Sequence, residues 1–292
     1  EAFQEKLFNE MVARIKQTDI SVPCLDNGYY YYTRFEEGKE YPVYCRKKGG
    51  LDAEEEIILD VNEMAHGYAY FDVGSYRVSE DNRLLTYSVD HVSRRIYTIY
   101  FKDLTTGEIL EEKIANTSGN MAWANDNRTL FYSTKDESLR SDKIWKHRLG
   151  DAINTDVLVY HETDVTYNTS IYKSKSRKYL IIGSGSTLSD ECRILWAGNP
   201  DGDFKVFQPR QKGLEYDIAH VEGKFYIRTN HLAVNFRLME TPEHLTGIEN
   251  WTEVIPHREE TLVEDFDVFN DFLVIQERKD GMKTLRMFYE NG

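Results

Sequence analysis

Serine, histidine and carboxylate side chains carry most of the acyl-transfer and proton-transfer chemistry open to a protein, and their spacing decides whether they can act together. A nucleophilic serine at the top of an α/β-hydrolase sheet needs the tight G-x-S-x-G turn. The nearest stretch is GSGST at 183–187, where Ser184 and Ser186 lack the flanking glycine spacing and fall inside a pair of predicted strands. None of the eight histidines stands four residues from another, and HETDV at 161–165 is not H-E-x-x-H, so the metal-binding helix pattern is missing. NPDGDF at 199–204 sets Asp201 and Asp203 around a glycine but lacks the spacing and closing glutamate of a calcium loop, and reads as a turn. No catalytic, cofactor-binding or metal-ligating residue is predicted. One acidic stretch stands out: DFDVFND at 265–271 carries Asp265, Asp267 and Asp271 at alternating positions, which on a strand would share one face. They could line a channel or interface and attract cationic groups, although a solvated strand edge is the simpler expectation.

The elements that would position these groups follow from hydrophobic periodicity. Residues 1–17 place Phe3, Leu7, Met11 and Ile15 at steps of four, predicting an amphipathic helix over 1–18. The helical period then gives way to short Tyr-, Ile-, Val-, Leu- and Phe-rich segments in pairs: YYYYTRF (29–35) with YPVYCRK (41–47), RLLTYSVD (83–90) with RIYTIYFKDL (95–104), TLFYSTK (129–135) with KIWKHRL (143–149). YLIIGSG (179–185) with CRILWAG (192–198), FYIRTNH (225–231) with NFRLMET (235–241), and FLVIQER (272–278) with TLRMFYE (284–290) continue the series. Each pair reads as two strands joined by a polar turn. The leading strands recur at intervals of 45 to 50 residues, with room for four strands per unit, the period of a propeller blade. Polar leads SEDN (79–82), WANDN (123–127) and SKSR (174–177) mark the turn from the innermost strand to the second. The expectation is an all-β propeller over 19–292, with about six blades and no outer strand on the last.

Composition narrows the function classes. Fifty acids against 36 bases give a net charge of −14, which repels phosphate backbones and makes nucleic acid an improbable partner. There is no apolar run of membrane-spanning length. Cys24, Cys45 and Cys192 form no C-x-x-C pair and read as ordinary buried thiols in a reducing compartment, so a cytoplasmic location is expected, with a periplasmic one left open. The 20 tyrosines read as blade-face packing with hydroxyls at polar edges.

Long ordered segments carry a resemblance. ISVPCLDNGYYYYTRFEEGKEYPVYCRKKG, SRRIYTIYFKDLTTGE, WANDNRTLFY, DKIWKHRLG, PRQKGLEYDIAHVEGKFYIRTN and WTEVIPHREETLVEDF resemble the amino-terminal part of the oligopeptidase B branch of the prolyl oligopeptidase family of serine peptidases. The resemblance runs from the first helix to the last residue. It implies a seven-bladed propeller, incomplete here, acting as a lid over an α/β-hydrolase domain of the same polypeptide whose Ser-Asp-His triad cuts short peptides after Arg or Lys. No triad residue of the family maps onto this sequence, so the chain alone is expected to be inactive. Under this reading Asp265, Asp267 and Asp271 would steer basic peptides, SRR (93–95) and PRQK (209–212) could pair with the hydrolase domain, and the free ends of the incomplete ring would self-associate. The competing class is a propeller that only scaffolds a partner protein.

Overall fold

A computed structural model describes residues 2–289. Helix α1 covers Ala2–Ala13, shorter than the sequence pattern predicts. Its end tightens through bonds from Arg14 N–H to Met11 O and from Ile15 N–H to Val12 O. By Asp19 the backbone is extended, because Phe35 N–H donates to Asp19 O and Ser21 N–H to Thr33 O. Pairing with the first sheet therefore competes with the helix for the residues before Ile20. No residue of α1 is buried, and Phe3, Leu7, Met11 and Ile15 all face solvent.

Six antiparallel blades follow among the described residues. Blade one is β1 (Cys24–Asp26), β2 (Tyr29–Arg34), β3 (Val43–Lys48) and β4 (Glu55–Asp60). After a single helical turn α2 (Val61–Met64), blade two comprises β5 (Asp72–Val78), β6 (Leu84–Asp90), β7 (Tyr97–Asp103) and the first half of β8 (Ile109–Trp123). The second half of β8 is the innermost strand of blade three, completed by β9 (Thr129–Lys135), β10 (Ser141–Arg148) and β11 (Val157–His161). Blade four is β12 (Asn168–Lys173), β13 (Tyr179–Gly185), β14 (Asp190–Trp196) and β15 (Lys205–Val206). Blade five is β16 (Tyr216–Val221), β17 (Lys224–Thr229), β18 (Arg237–Pro242) and β19 (Thr252–Ile255). Blade six has three strands among the described residues, β20 (Leu262–Val268), β21 (Phe272–Lys279) and β22 (Met282–Tyr289), as the pattern predicts; Glu290, included in the last predicted strand, lies outside them.

The continuous β8 fuses blades two and three into one seven-stranded sheet. It bends from one blade into the next at Asn116 and Gly119, both with positive φ. At Gly119, φ is +88° and a Cβ would stand 2.9 Å from the Tyr97 ring. Glycine is thus required twice over, by backbone conformation and by the close approach of Tyr97, whose hydroxyl donates to Asp72 at 2.7 Å.

Successive blades bury their apolar faces against one another, which is why the strands read as nearly continuous hydrophobic runs. Leu59 and Leu85 belong to the core between blades one and two, Phe101 and Leu130 to that between two and three. Phe131 meets Ile182 between three and four, Phe225 lies between four and five, and Leu238 joins Ile275 between five and six. Each such fully buried side chain contributes about 1.5–3 kcal/mol of transfer free energy. The far face of blade six has no neighbour among the described residues: Leu285 is 72% exposed and Met287 48%.

Candidate functional site

The turns from innermost to second strand all lie on one face of the ring, and three of them share one construction. In blades two, three and four the fourth turn residue has positive φ, namely Asn82, Asn127 and Arg177. The residue before it turns its side chain back on the loop: Asp81 accepts Arg83 N–H, Asp126 accepts Arg128 and Thr129 N–H, and Ser176 accepts Lys178 N–H. Asparagine visits the left-handed region at little cost. Arg177 does not, and its side chain shows what holds it there. Its guanidinium donates to Glu80 Oε1 of blade two and to Asp26 Oδ1 of blade one, each at 2.6 Å, so blade four is tied to two blades that are not its neighbours.

Around Arg177 the inner turns form a belt across the channel mouth. Lys173 donates to Glu80 Oε2 at 2.8 Å, and Lys175 meets Asp267 of blade six at 2.7 Å with its ammonium 3.3 Å from the Phe269 ring centre. Amide contacts complete it: Asn27 Nδ2 donates to Glu80 O, Asn82 Nδ2 to Asn27 O, and Asn125 Nδ2 to Arg177 O. Burial pushes the Glu80 carboxyl up, but Arg177 and Lys173 outweigh it and hold the group below the usual carboxylate range. Burial also holds Lys173 below its ordinary value despite Glu80. Beneath the belt the inner strands of blades one to four, with Tyr31 of β2, line an open cavity of about 530 Å³. Its walls are aromatic, from Tyr31, Tyr76, Trp123 and Tyr172, with Arg77 among them.

Of the carboxylates singled out in the sequence, the structure separates what alternation joined. Asp265 and Asp267 share the exposed face of β20, paired with Gln276 and Val274. Asp271 lies past the end of β20, in the turn to β21, because the strand stops at Val268. Asp265 and Asp271 are exposed and Asp267 is taken by Lys175. Of the basic clusters, Arg210 donates to Glu162 Oε2 at 2.5 Å, whereas Arg94 and Arg95 give only backbone N–H groups to Asp90 and their side chains make no ion pair among the described residues. Asp201 pairs with Lys146. Ser184 is buried in β13, near the Tyr160 hydroxyl. Cys45 and Cys192 are buried as expected, whereas Cys24 is exposed, since β1 is an edge strand bordering the cavity. Tyrosine hydroxyls do end at polar edges, as Tyr32 on Glu55 and Tyr132 on Asp156.

Two buried histidines were not legible as sites. His220 of β16 has Nδ1 2.7 Å from Ser176 Oγ and Nε2 3.0 Å from Glu243 Oε2, the order of groups found in an acyl-transfer triad. No sequence motif announces it, because the three residues come from three separate elements. Its surroundings match a clamp between blades four and five. Lys178 Nζ lies 2.7 Å from both Glu243 oxygens and is the main reason that carboxyl stays low. Burial holds His220 below its ordinary value, and the ring is wedged between Tyr179 and Phe225. Ser176 also shares a hydrogen bond with Ser174 Oγ at 2.9 Å, and the channel cavity is lined by its neighbours Lys175 and Arg177 but not by Ser176 itself.

His147 of β10 is fully buried between two carboxylates. Its Nδ1 is 2.6 Å from Asp156 Oδ1 and its Nε2 2.5 Å from Glu112 Oε1 of blade two. A neutral imidazole can donate from one nitrogen only, so bonding both acids requires imidazolium. Burial lowers its pKa, but Asp156 and then Glu112 more than reverse this and leave it raised.

Comparison with known proteins places this architecture. The family described as prolyl oligopeptidase, N-terminal beta-propeller domain, matches residues 1–292. Dipeptidyl aminopeptidase BI of Pseudoxanthomonas mexicana is 40% identical over 99% of this chain and 42% of its own length; Protease 2 of Moraxella lacunata is 32% identical over 98% of this chain and 42% of its own. Among solved structures, oligopeptidase B from Leishmania major superimposes with a TM-score of 0.91 at 32% identity, covering 98% of this chain and 41% of that one. Oligopeptidase B from Trypanosoma brucei, with covalently bound antipain in its closed form, gives 0.88 at 29%, with the same coverage. The chain spans well under half the length of these relatives.

Proposed function

This chain belongs to the prolyl oligopeptidase family as its N-terminal β-propeller, and from that premise we propose that it is the non-catalytic lid and size filter of a serine oligopeptidase acting on short peptides, after Arg or Lys. The observation that carries the reading is the belt over the channel: a ring of blades whose hole is crossed by Arg177, Lys173 and Lys175 admits small or flexible chains and turns away folded ones. Each completed four-stranded blade returns the chain to the face opposite the inner turns. A hydrolase domain on the same polypeptide would sit on that face, with the belt guarding the far mouth.

The chain's acidity supports steering of basic peptides by Asp265 and Asp271, with Asp267 already neutralised by Lys175. Its three free thiols support a reducing compartment, the cytoplasm. The experiment is a peptide-length series on the peptidase that carries this propeller. A filter makes kcat/KM fall with substrate bulk, and Arg177→Ala with Lys175→Ala flattens that fall. An unchanged profile in the double variant refutes the reading. A protein-binding scaffold is the second reading, favoured by the exposed Leu285 and Met287 face, and the reading frame beyond Gly292 separates the two.

A further inference from the structure

The cavity beneath the belt holds a cation that no carboxylate among the described residues pairs with. Arg177, Lys173 and Lys175 are each paired with Asp26, Glu80 or Asp267. Arg77, projecting from β5 into the same cavity, makes no ion pair among the described residues; its guanidinium donates only to the carbonyl of its neighbour Tyr76. Four cations against three carboxylates leave one positive charge, in a chain whose net charge is −14. Tyr31, Tyr76, Trp123 and Tyr172 also line the cavity.

We propose that this cavity binds the C-terminal carboxylate of a peptide, with Arg77 as its partner and the aromatic walls against the terminal residues. Guanidinium presents a planar fork that matches a carboxylate with two parallel hydrogen bonds. A cavity of this size, crossed by the Arg177 and Lys173 ion pairs, takes the end of a chain and not its middle. An ammonium terminus meets the uncompensated cation and is repelled, while a carboxylate terminus is held. A single surplus charge suits a monoanion; the carboxylates of Asp26 and Glu80 in the same belt oppose a phosphate dianion about twice as strongly. A volume of about 530 Å³ falls in the range of small-ligand pockets and accommodates the last few residues of a peptide. The proposal takes from the reading above only that peptides are what this propeller meets, and its test uses this chain alone, so each can fail without the other.

The test is calorimetric titration of the purified chain with an N-acetylated tripeptide ending in phenylalanine, as the free acid and as the C-terminal amide, with inorganic phosphate as a third probe. The acid binds roughly tenfold or more tighter than the amide, the effect of one charge-assisted bidentate pair. Arg77→Gln removes the difference and Arg77→Lys restores part of it. Both variants keep the parent melting temperature, since the Arg77 side chain bonds only one neighbouring carbonyl. Equal affinity for acid and amide, acid preference surviving Arg77→Gln, or phosphate displacing the tripeptide acid at lower concentration would each overturn the assignment.

Discussion

Replacing His147 by Gln removes the charge that holds Glu112 of blade two and Asp156 of blade three around one ring. Deleting one partner of a buried ion pair costs about 3–5 kcal/mol. The lower figure applies here because both acids keep a donor: Asp156 retains the Tyr132 hydroxyl at 2.7 Å, and Glu112 the Gly150 N–H at 3.0 Å. At a sensitivity of roughly 2–4 °C per kcal/mol for a chain of this size, the melting temperature falls by roughly 6–12 °C. The pH dependence carries the sharper information. The folded pKa of His147 is raised above its ordinary 6.5. Its contribution is therefore fully present below pH 6.5 and is lost as pH rises through the folded value. Thermal melts from about pH 6 to pH 9 should show the wild type losing stability toward the alkaline end, with the Gln variant lacking that component, so the gap between them narrows. A gap of constant size across the range would refute the imidazolium reading, as would an NMR titration showing the ring neutral at pH 6.

Gly119→Ala should destabilise by about 2 kcal/mol or more, since a Cβ there meets the Tyr97 ring at positive φ; a wild-type melting temperature would count against the packing described. The belt should open in acid: Glu80 is held below its ordinary 4.5, so its contribution is present above that value and lost as pH falls through the lower folded one, seen as accelerated amide exchange at Asn27 and Asn82 in the wild type but not in Glu80→Gln. Sedimentation at high concentration should reveal self-association through the open face of blade six, reduced by Leu285→Lys; a clean monomer would contradict it.

Much of this fold could be read from the sequence because blades are local objects. Alternating strands with polar turns between them specify each hairpin, and the turns at SEDN, WANDN and SKSR proved to be the inner turns expected. The continuous β8 was hidden because Asn116 and Gly119 look like a chain break when in fact they bend one strand between two blades. The site was legible in its parts and not in its assembly. Glu80 and Arg177 lie 97 residues apart, and Ser176, His220 and Glu243 belong to three different elements, so no spacing rule joins them. Alternation wrongly grouped Asp271 with Asp265 and Asp267, because it assumes that the strand continues past Val268.

The most direct test is hydrolysis of arginyl and lysyl peptide amides by the purified 292-residue chain, measured beside its Ser176→Ala and His220→Gln variants. A propeller that filters without cutting gives no turnover above buffer in any of the three. Turnover that either substitution removes would make Ser176, His220 and Glu243 a working triad and contradict the assignment of this chain as a non-catalytic lid.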